Sequence, residues 1–309
     1  MDILSTEKIG VPVISIGNLT TGGTGKTPFT IFIASHFLKN NFNVGIISRG
    51  YGRESEEMVM VYNGTTLVND PALAGDELIE ISLRLREIYP NFVTVACSDR
   101  VAAAKHIISE YKPDVIILDD AFQHRKIGRD LDILIIDKDQ NEDPENKLLP
   151  AGSLRESEKN EDRADIIIHN YKFKKHPTDA VEIQNNIFIA TYNANASTLI
   201  QKIGSKGIVA VCGIAKPDSF FNMLTDLNIG IKKRFKFDDH HNYDEEDIKK
   251  IVEACDPKDI IITTGKDLVK LNQFRNIFKE IQLYPINITV SLANKEEEFL
   301  NLLGKAVTK

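Results

Sequence analysis

The stretch VPVISIGNLTTGGTGKTP, residues 11–28, contains the pattern that decides the fold. Its apolar, β-branched run Val11–Ile16 predicts a buried strand, and Phe29, Ile33 and Phe37 share one face of the helix predicted after it. A glycine-rich loop between a strand and a helix can turn its backbone N–H groups inward, and the helix N-terminus adds positive potential. The stretch therefore predicts a phosphate-binding loop (P-loop) that opens an α/β domain.

The residue types of this loop are those that bind the phosphates of ATP. Lys26 can reach the β- and γ-phosphates, and the Thr27 hydroxyl can hold Mg²⁺. The residues predicted to bind the nucleotide are Thr20, Thr21, Gly22, Gly23, Thr24, Gly25, Lys26 and Thr27. The strict pattern G-x-x-x-x-G-K-[ST] is not met, because Thr20 stands where its first glycine belongs. An ordinary glycine-rich turn is the alternative interpretation.

Short apolar runs alternate with helical patterns through the first half of the chain, and this alternation predicts a mostly parallel sheet in an α/β fold. The predicted strands are Val11–Ile16, Val44–Ile47, Phe92–Ala96, Val115–Leu118, Leu131–Ile136 and Ile166–Ile168. A polar, Asn-rich stretch from Tyr171 to Ser205 interrupts the pattern, and it contains one strand-like run, Ile187–Tyr192. We therefore expect a domain boundary within this stretch.

A second βα series follows the boundary. Gly207–Val211 and Asp259–Thr263 read as strands, and helices are predicted near Pro217–Leu227, Glu245–Ala254 and Lys295–Leu303. The expected organisation is a nucleotide-binding domain at 1–172, a linker region at 173–205 and a smaller α/β domain at 206–309.

Composition excludes several classes of protein. Among 309 residues, 42% are hydrophobic and 27% charged, which excludes disorder, collagen and coiled coil. The formal net charge of −7 argues against a nucleic-acid partner. The three cysteines lie far apart and match neither a disulfide framework nor a metal site. No run reaches the length of a membrane span, so we expect a cytoplasmic protein for which peripheral membrane contact stays open.

Polar residues follow several predicted strands, where ligands bind in open α/β sheets. Asp119 and Asp120 close the strand Val115–Leu118, as the metal-binding acidic residue of a P-loop enzyme does, although a turn or helix cap also explains them. Arg49 and Arg100 are candidates for contacts to anionic groups, and surface salt bridges are the alternative.

Two further stretches have a structural and a functional interpretation. Asp76 and Glu77 start a helical pattern, so they either stabilise the helix dipole or act as a proton acceptor and a metal contact. His240 and His241 follow an aspartate pair in DDHHNY, residues 238–243. A capped turn or a metal site is an alternative there, and we rank an acid–base or orienting role above metal binding.

Taken together, these motifs resemble the tetraacyldisaccharide 4′-kinase family of lipid A biosynthesis. The motifs in order are VPVISIGNLTTGGTGKTP, SRGYGR, AGDE, SDR, LDDAFQHR, LPAGSLRE, GIAKPDSFF, DDHHNY and TTGKD. The resemblance implies a P-loop NTPase-like three-layer α/β/α sandwich with a second, smaller lobe joined by a short β linker. It also implies transfer of the γ-phosphate of MgATP to the 4′-hydroxyl of tetraacyldisaccharide 1-phosphate, which gives lipid IVA.

The resemblance also implies roles for individual residues. Lys26 and Thr27 would serve the ATP phosphates and Mg²⁺, and Asp76 would be the catalytic base, paired with His240 across the two lobes. Arg49 and Arg100 would steady phosphate charge. The metal-site residues would be Thr27, Glu77, Asp119 and Asp120, and the cleft residues His124 and Glu156. The implied setting is peripheral, on the cytoplasmic face of the inner membrane, with no nucleic acid and no obligate protein partner.

The sequence departs from the family pattern at two places. Family members usually carry an apolar, basic helical segment that lies on the inner membrane, whereas ten residues precede Val11 here. We expect either a truncated start or membrane contact made elsewhere. The late motif TEKD has Gly265 in place of glutamate, which affects a structural or nucleotide-side contact.

Three other interpretations remain. A partitioning or targeting switch ATPase has lysine before the paired glycines, where this chain has Thr21. A GTPase has the order N/T-K-x-D, whereas Lys266 directly precedes Asp267 here. A kinase for another amphiphilic small molecule would share the chemistry of the loop and is separated only by the family-wide match.

Overall fold

Strands and helices alternate along the chain in the computed structural model, which describes residues 6–138, 147–171, 186–195, 197–204, 206–293 and 295–308. The strands are β1 Val13–Gly17, β2 Val44–Ser48, β3 Val59–Tyr62, β4 Phe92–Ala96, β5 Val115–Leu118, β6 Leu131–Asp137, β7 Ile166–Asn170, β8 Ile187–Asn195, β9 Ile208–Cys212, β10 Lys233–Lys236, β11 Ile260–Thr264 and β12 Gln282–Leu292.

The α-helices are α1 Lys26–Lys39, α2 Pro71–Ala74, α3 Asp76–Arg86, α4 Arg100–Tyr111, α5 Ser197–Ile203, α6 Pro217–Asp226, α7 Glu245–Glu253, α8 Gly265–Leu271, α9 Arg275–Phe278 and α10 Glu296–Val307. Short 3-10 helices lie at Glu158–Arg163 and Asn272–Phe274. The chain divides into two compact units, one of residues 1–192 with 290–309 and one of residues 193–289.

The first unit is built on a sheet with the strand order β8-β7-β6-β1-β5-β2-β4-β3. In the described strand pairs of this sheet, β3 pairs antiparallel with β4 at the edge, and the successive pairs from β4 to β8 are parallel. Connections between parallel strands are right-handed. The connection from β1 to β2 crosses the sheet in one direction, and the connection from β4 to β5 crosses it in the opposite direction. The connecting helices α1 and α4 therefore cover opposite faces, which makes three layers.

Packing agrees with this arrangement. Ala103, Ala104 and Ile107 of α4 form one core cluster with Val13, Ile47, Val95, Ile116 and Leu118 of the sheet. On α1, Phe29 and Ile33 are fully buried, and α1 packs against α3. These strands are buried on both faces, as their near-continuous apolar sequences predicted. The predicted α/β fold is confirmed.

The second unit has a parallel sheet with the order β10-β9-β11-β12. One core cluster joins Phe220, Phe221 and Leu224 of α6 to the sheet, and another joins Ile248 and Ile251 of α7 to it. Sequence patterns did not predict β10 or β12. β10 reads KRFK and is largely exposed. β12 is mostly half-buried and its apolar residues are interrupted by polar ones and by Pro285, so neither strand has a continuous apolar run.

The helix α10 belongs to a different domain from the one predicted, which was the α/β domain at 206–309. Residues 290–309 belong to the compact unit that contains the P-loop, not to the second unit. Phe299 of α10 is fully buried and packs edge-on against Phe29 of α1 at a ring-centroid distance of 5.8 Å and against Phe188 of β8 at 5.3 Å. The sequence pattern shows an apolar helix face, but it does not show which sheet that face covers.

The predicted linker region, 173–205, falls partly outside the described residues. Its described part contains β8, which is longer than the predicted strand, and α5. Within the described ranges, no helix has both the length and the apolar character needed to cross a bilayer.

Candidate functional site

Most of the predicted site residues of the first unit follow the carboxyl ends of four neighbouring parallel strands. The order of these strands is β1-β5-β2-β4, and the next strand along the chain after β5 lies on the other side of β1. Such a reversal leaves a crevice at the carboxyl ends of the strands, where ligands bind in open α/β sheets. The P-loop follows β1, Arg49 follows β2, Arg100 follows β4 and Asp119 follows β5.

The P-loop presents the start of α1 without a side-chain cap. Gly25 occupies the N-cap position with a left-handed backbone (φ 92°), no side chain caps the helix, and its first turn has no acidic residue. The first backbone N–H groups of α1 and the positive end of the helix dipole therefore favour an anion. Thr20, the departure from the strict pattern, forms a β-bridge with Leu154. Its extended backbone does not require glycine.

Two neighbouring strands brace the backbone of the P-loop. The Asn170 side chain at the end of β7 donates to the Thr24 carbonyl at 2.7 Å, and the Tyr192 hydroxyl of β8 donates to the Gly25 carbonyl at 3.0 Å. A Cβ on Gly25 would lie 2.5 Å from the Tyr192 ring, so this contact needs glycine. Asn170 and Tyr192 are buried and were not predicted from the sequence. No local pattern shows that β7 and β8 reach the loop.

Lys26 is buried at the start of α1, where it contacts two side chains of the described residues. Its Nζ donates to Asn18 Oδ1 at 3.1 Å and lies 3.5 Å from Asp120 Oδ1. Arg155 Nη1 contacts both oxygens of Asp120, at 2.7 and 2.9 Å. Burial alone would raise the pKa of Asp120, but the charges of Lys26 and Arg155 outweigh burial and lower it. Asp120 is therefore an ionised carboxylate held between two cations.

The surroundings of Asp119 differ from those of its neighbour Asp120. It is fully buried, and Thr30 of α1 donates to its Oδ1 at 2.7 Å. Its Oδ2 has no hydrogen-bond partner among the described residues. Burial, followed by the negative charge of Glu77, raises the pKa of Asp119 to about 7. Glu77 on α3 and Asp119, which directly follows β5, thus lie close enough to interact, as the predicted metal site requires.

Asp76 is the first residue of α3, and its position depends on two glycines. Gly75 caps the helix with no side-chain hydrogen bond, at φ 79°. A Cβ on Gly75 would lie 2.9 Å from Cα of Gly50, which follows β2 at φ 71°. The loop after β2 and the start of α3 therefore approach at backbone distance. Asp76 is 3% exposed, so its carboxylate is largely shielded from water.

The cationic candidates lie beside the acidic pair. Arg100, the first residue of α4, is 4% exposed, and Nε of its guanidinium has no hydrogen-bond partner among the described residues. Burial lowers the pKa of Arg100, while the charges of Asp120 and Asp119 oppose this and that of Arg49 adds to it. Burial, with the nearby charge of Arg100, also lowers the pKa of His124 to about 4. His124 is therefore neutral at physiological pH.

Glu156 is held in a polar network. Its carboxylate accepts two hydrogen bonds from Arg163 at 2.8 Å, and others from Asn160 and Gln123. Burial opposes the charged form, but Arg163 outweighs it, and the pKa of Glu156 is lowered. Gln123 also donates to the Asn18 carbonyl at 2.8 Å. Both Glu156 oxygens are occupied, so this residue supports the loop next to the P-loop.

Arg129 holds the segment that follows the acidic pair. Its guanidinium donates to the carbonyl groups of Ala121, Phe122 and His124, and it forms a salt bridge with Asp132 of β6. The motif LDDAFQHR contains the side chains that face the site, but its main-chain path depends on this arginine just beyond it. Sequence analysis did not single out Arg129, because most of its partners are main-chain carbonyl groups, and such contacts leave no pattern in the sequence.

His240 lies in the second unit, so its predicted pairing with Asp76 stays a prediction. It has a left-handed backbone (φ 57°), and its Nε2 lies 3.9 Å from Asp239 Oδ1. His241 contacts Asp247 Oδ2 at 2.7 Å and stacks on Phe237. Within the described ranges, no three His, Cys, Asp or Glu residues form a group that could hold a metal.

This chain is similar to known proteins over most of its length. A family model for Tetraacyldisaccharide-1-P 4′-kinase matches residues 1–308. This chain belongs to that family. A tetraacyldisaccharide 4′-kinase of Geobacter sulfurreducens is 36% identical over 270 residues, covering 84% of this chain and 75% of the relative. One of Aquifex aeolicus is 32% identical over 302 residues, covering 95% and 88%.

A solved member of the tetraacyldisaccharide 4′-kinase family has the same fold. The crystal structure of the apo form of LpxK from Aquifex aeolicus in complex with ATP matches with a TM-score of 0.77 and 30% identity, over 98% of this chain and 91% of that one. The predicted family resemblance and the predicted P-loop kinase fold are thereby confirmed.

Proposed function

We propose that this protein transfers the γ-phosphate of ATP to the 4′-hydroxyl of tetraacyldisaccharide 1-phosphate and so forms lipid IVA. The observation that carries the proposal is the P-loop of a 4′-kinase family member, with Lys26, Asp119 and Asp120 beside an uncapped helix N-terminus. The LpxK of the similar crystal structure binds ATP. We infer that ATP is also the phosphate donor here.

The P-loop residues bind the nucleotide. Backbone N–H groups from Thr20 to Thr27 surround the phosphates, and Lys26 neutralises the β- and γ-phosphates. Lys26 already lies between Asn18 and Asp120, so its ammonium group is oriented before ATP arrives. Such orientation reduces the ordering cost of binding. Asn170 and Tyr192 fix the backbone carbonyls behind the loop.

Magnesium fits the oxygen groups of this site. Asp119 offers a buried Oδ2 with no hydrogen-bond partner among the described residues, and the Thr27 hydroxyl lies in the first turn of α1. Mg²⁺ usually takes one or two protein carboxylates and completes its shell with phosphate oxygens and water, so a closed cage of acidic residues is not required. Asp119, Thr27, Glu77 and Asp120 form the proposed site. When bound, Mg²⁺ neutralises charge on the transferred phosphoryl group.

Asp76 is the proposed base, and His240 orients and tunes it. A carboxylate that accepts the hydroxyl proton as the oxygen attacks contributes about 100- to 10,000-fold to such reactions. Burial of Asp76 keeps competing water away. Arg49 and Arg100 stabilise charge on the phosphoryl group, because their guanidinium groups match its oxygens. His124, neutral and half-buried, lines the acceptor side, and Glu156 supports the adjoining loop.

The proposed location of the protein follows from its lipid substrate. A tetraacylated substrate stays in the bilayer, so the protein acts as a peripheral enzyme on the cytoplasmic face of the inner membrane. The net charge of −7 gives no support to a nucleic-acid partner, and the proposed chemistry needs no obligate protein partner. A switch ATPase, or a kinase for another amphiphile, is the alternative that the assay must separate.

The test is transfer of labelled γ-phosphate from MgATP to detergent-dispersed tetraacyldisaccharide 1-phosphate. We expect a bis-phosphorylated lipid, and no product with a matched acceptor that lacks the 4′-hydroxyl. Lys26→Ala provides the inactive control. A switch ATPase would instead hydrolyse ATP equally without acceptor. Absence of lipid product from folded, ATP-binding protein would contradict the proposed acceptor.

A further inference from the structure

Asp267 is a buried carboxylate in the second unit that the phosphate chemistry does not use. It lies in the first turn of α8, within the late motif TTGKD, and is fully shielded from solvent. Three donors from three segments reach it. They are the Gly213 amide after β9 at 3.0 Å, the Tyr243 hydroxyl before α7 at 2.9 Å and the Thr264 hydroxyl at the end of β11 at 2.6 Å.

Helix capping explains only part of this network. The Asp267 amide donates to Thr264 Oγ1 at 3.1 Å, which is an ordinary N-cap bond between residues three apart. Gly213 and Tyr243 are 54 and 24 residues away in sequence, and a helix cap does not need them. A buried carboxylate that collects distant donors instead fixes the segments that carry those donors.

The segment fixed in this way is the loop 238–243, which carries His240. A Cβ on Gly213 would lie 3.0 Å from the Asp238 carbonyl oxygen and 3.3 Å from His241 Cβ, so the loop packs directly on Gly213. Lys270, one turn after Asp267 on α8, donates to the His241 carbonyl at 3.2 Å. His240 lies between these contacts in a left-handed conformation, which a residue with a Cβ keeps only where its surroundings enforce it.

Tyr243 connects the carboxylate to the rings of the loop. It is 7% exposed, and its ring packs edge-on against His241 at 5.1 Å and Phe237 at 5.0 Å. These ring contacts do not depend on the hydroxyl. Replacing Tyr243 by Phe therefore removes the bond to Asp267 while it leaves the packing in place.

We propose that Asp267 is a positioning residue, which fixes the main-chain path of the loop 238–243 and thereby the direction of the His240 imidazole. The inference rests on the proposed role of His240 and extends it. A functional group must be held within about 0.5 Å of its productive position, and a displacement of about 1 Å can cost up to about 100-fold in rate. Gly265, the departure in the late motif, leaves Asp267 and its three donors in place.

A double-mutant cycle between Tyr243→Phe and His240→Ala tests the proposal. We expect Tyr243→Phe to lower kcat about tenfold with KM for ATP unchanged, because the second unit's loop acts on the chemical step and not on nucleotide binding. In the His240→Ala background the same substitution should have no further effect, because it acts through the imidazole. Asp267→Asn should behave as Tyr243→Phe does, with thermal unfolding followed to verify that it folds.

The matched control is Tyr284→Phe in the same unit. The Tyr284 hydroxyl donates to Gln282 Oε1 at 3.0 Å, away from the loop, so this variant removes one tyrosine hydrogen bond and should keep full activity. The ring signals of His240 in an NMR pH titration give a second readout. They should shift in Tyr243→Phe and stay unchanged in Tyr284→Phe.

The outcomes separate the inference from the proposed role of His240. If His240→Ala lowers kcat while Tyr243→Phe leaves kcat and the His240 signals unchanged, Asp267 has no positioning role and the role of His240 stands. Additive losses in the double variant would also overturn the inference. Full activity of His240→Ala would remove the proposed role of His240 and the inference with it.

Discussion

The backbones of Gly50 and Gly75 meet closely enough that a Cβ on Gly75 would lie 2.9 Å from Cα of Gly50. Gly50 follows β2, and Gly75 immediately precedes Asp76. The contact joins the Arg49 loop to the start of α3, so both proposed groups depend on one point of the backbone. Neither glycine tolerates a side chain there, because each combines a positive φ with backbone atoms in the space that a Cβ would take.

Replacing Gly75 by Ala should displace Asp76. We expect a large loss of kcat and a lower midpoint of thermal unfolding, because the methyl group collides with main-chain atoms that cannot move aside. Gly52→Ala is the control. Gly52 has nearly the same φ, 77° against 79°, but a Cβ there meets nothing within 4 Å. That control should cost only the backbone strain of roughly 1–2 kcal/mol in unfolding free energy and leave kcat intact. Equal kinetic defects in both variants would contradict the role of the contact.

Asp76→Asn and Glu77→Gln should give different kinetic defects. The two changes remove one charge each from the first turn of the same helix, so their effect on the helix dipole is similar. Asp76→Asn should lower kcat by about 100-fold or more at saturating Mg²⁺ while ATP binding persists. Glu77→Gln should instead raise the Mg²⁺ concentration needed for half-maximal rate. Near-wild-type turnover of Asp76→Asn would remove this residue from the role of base.

Tyr192→Phe should weaken ATP binding without altering the chemical step. The substitution removes the 3.0 Å bond to the Gly25 carbonyl, worth about 1 kcal/mol, or about a fivefold change in affinity. Tyr62→Phe is the matched control, because the Tyr62 hydroxyl also donates to a glycine carbonyl, that of Gly64 at 2.8 Å, outside the P-loop. Calorimetric titration with ATP checks both. Equal affinities for all three proteins would show that the bond does not brace the loop.

Stability should fall on mild acidification, in part because of His169. Burial, followed by the charge of Lys138, lowers the pKa of His169 from 6.5 to about 4. Between these values the unfolded state binds a proton that the folded state does not, so the free energy of unfolding decreases as pH falls from 6.5 towards 4. His169→Gln should reduce the slope of the free energy of unfolding against pH in this range, as measured by urea unfolding at each pH. The exposed His106, changed to Gln, should leave the slope unaltered.

The elements predicted with the best boundaries are those with a continuous apolar run between turn signals. β4 and β5 match their predicted ranges, and α7 ends within one residue of its prediction. β10 and β12 were missed, because they are exposed or half-exposed and lack such a run. β3 was missed although its four residues, VMVY, are apolar. The placement of α10 also could not be predicted, since an amphipathic helix has the same pattern on either sheet.

Some residues of the site could likewise be predicted from the sequence and others could not. Lys26, Asp119 and Arg100 were predicted because they follow predicted strands, and Glu77 was predicted because it lies in the AGDE motif of the family. The groups that hold them were not predicted. Asn170 and Tyr192 act on main-chain carbonyl groups of distant segments, and Arg129 acts on those of the loop that precedes it. Such contacts depend on the folded path of the chain. The opposite pKa shifts of Asp119 and Asp120 also follow from burial and neighbouring charges, which their identical side chains do not reveal.

The return of residues 290–309 to the first unit has a consequence for synthesis on the ribosome. The P-loop is translated well before α10, yet the buried aromatic group around Phe29 lacks Phe299 until α10 has left the exit tunnel. The second unit, continuous from 193 to 289, has all its residues earlier. Folding of the nucleotide-binding unit would therefore finish after that of the second unit, although its P-loop is translated earlier.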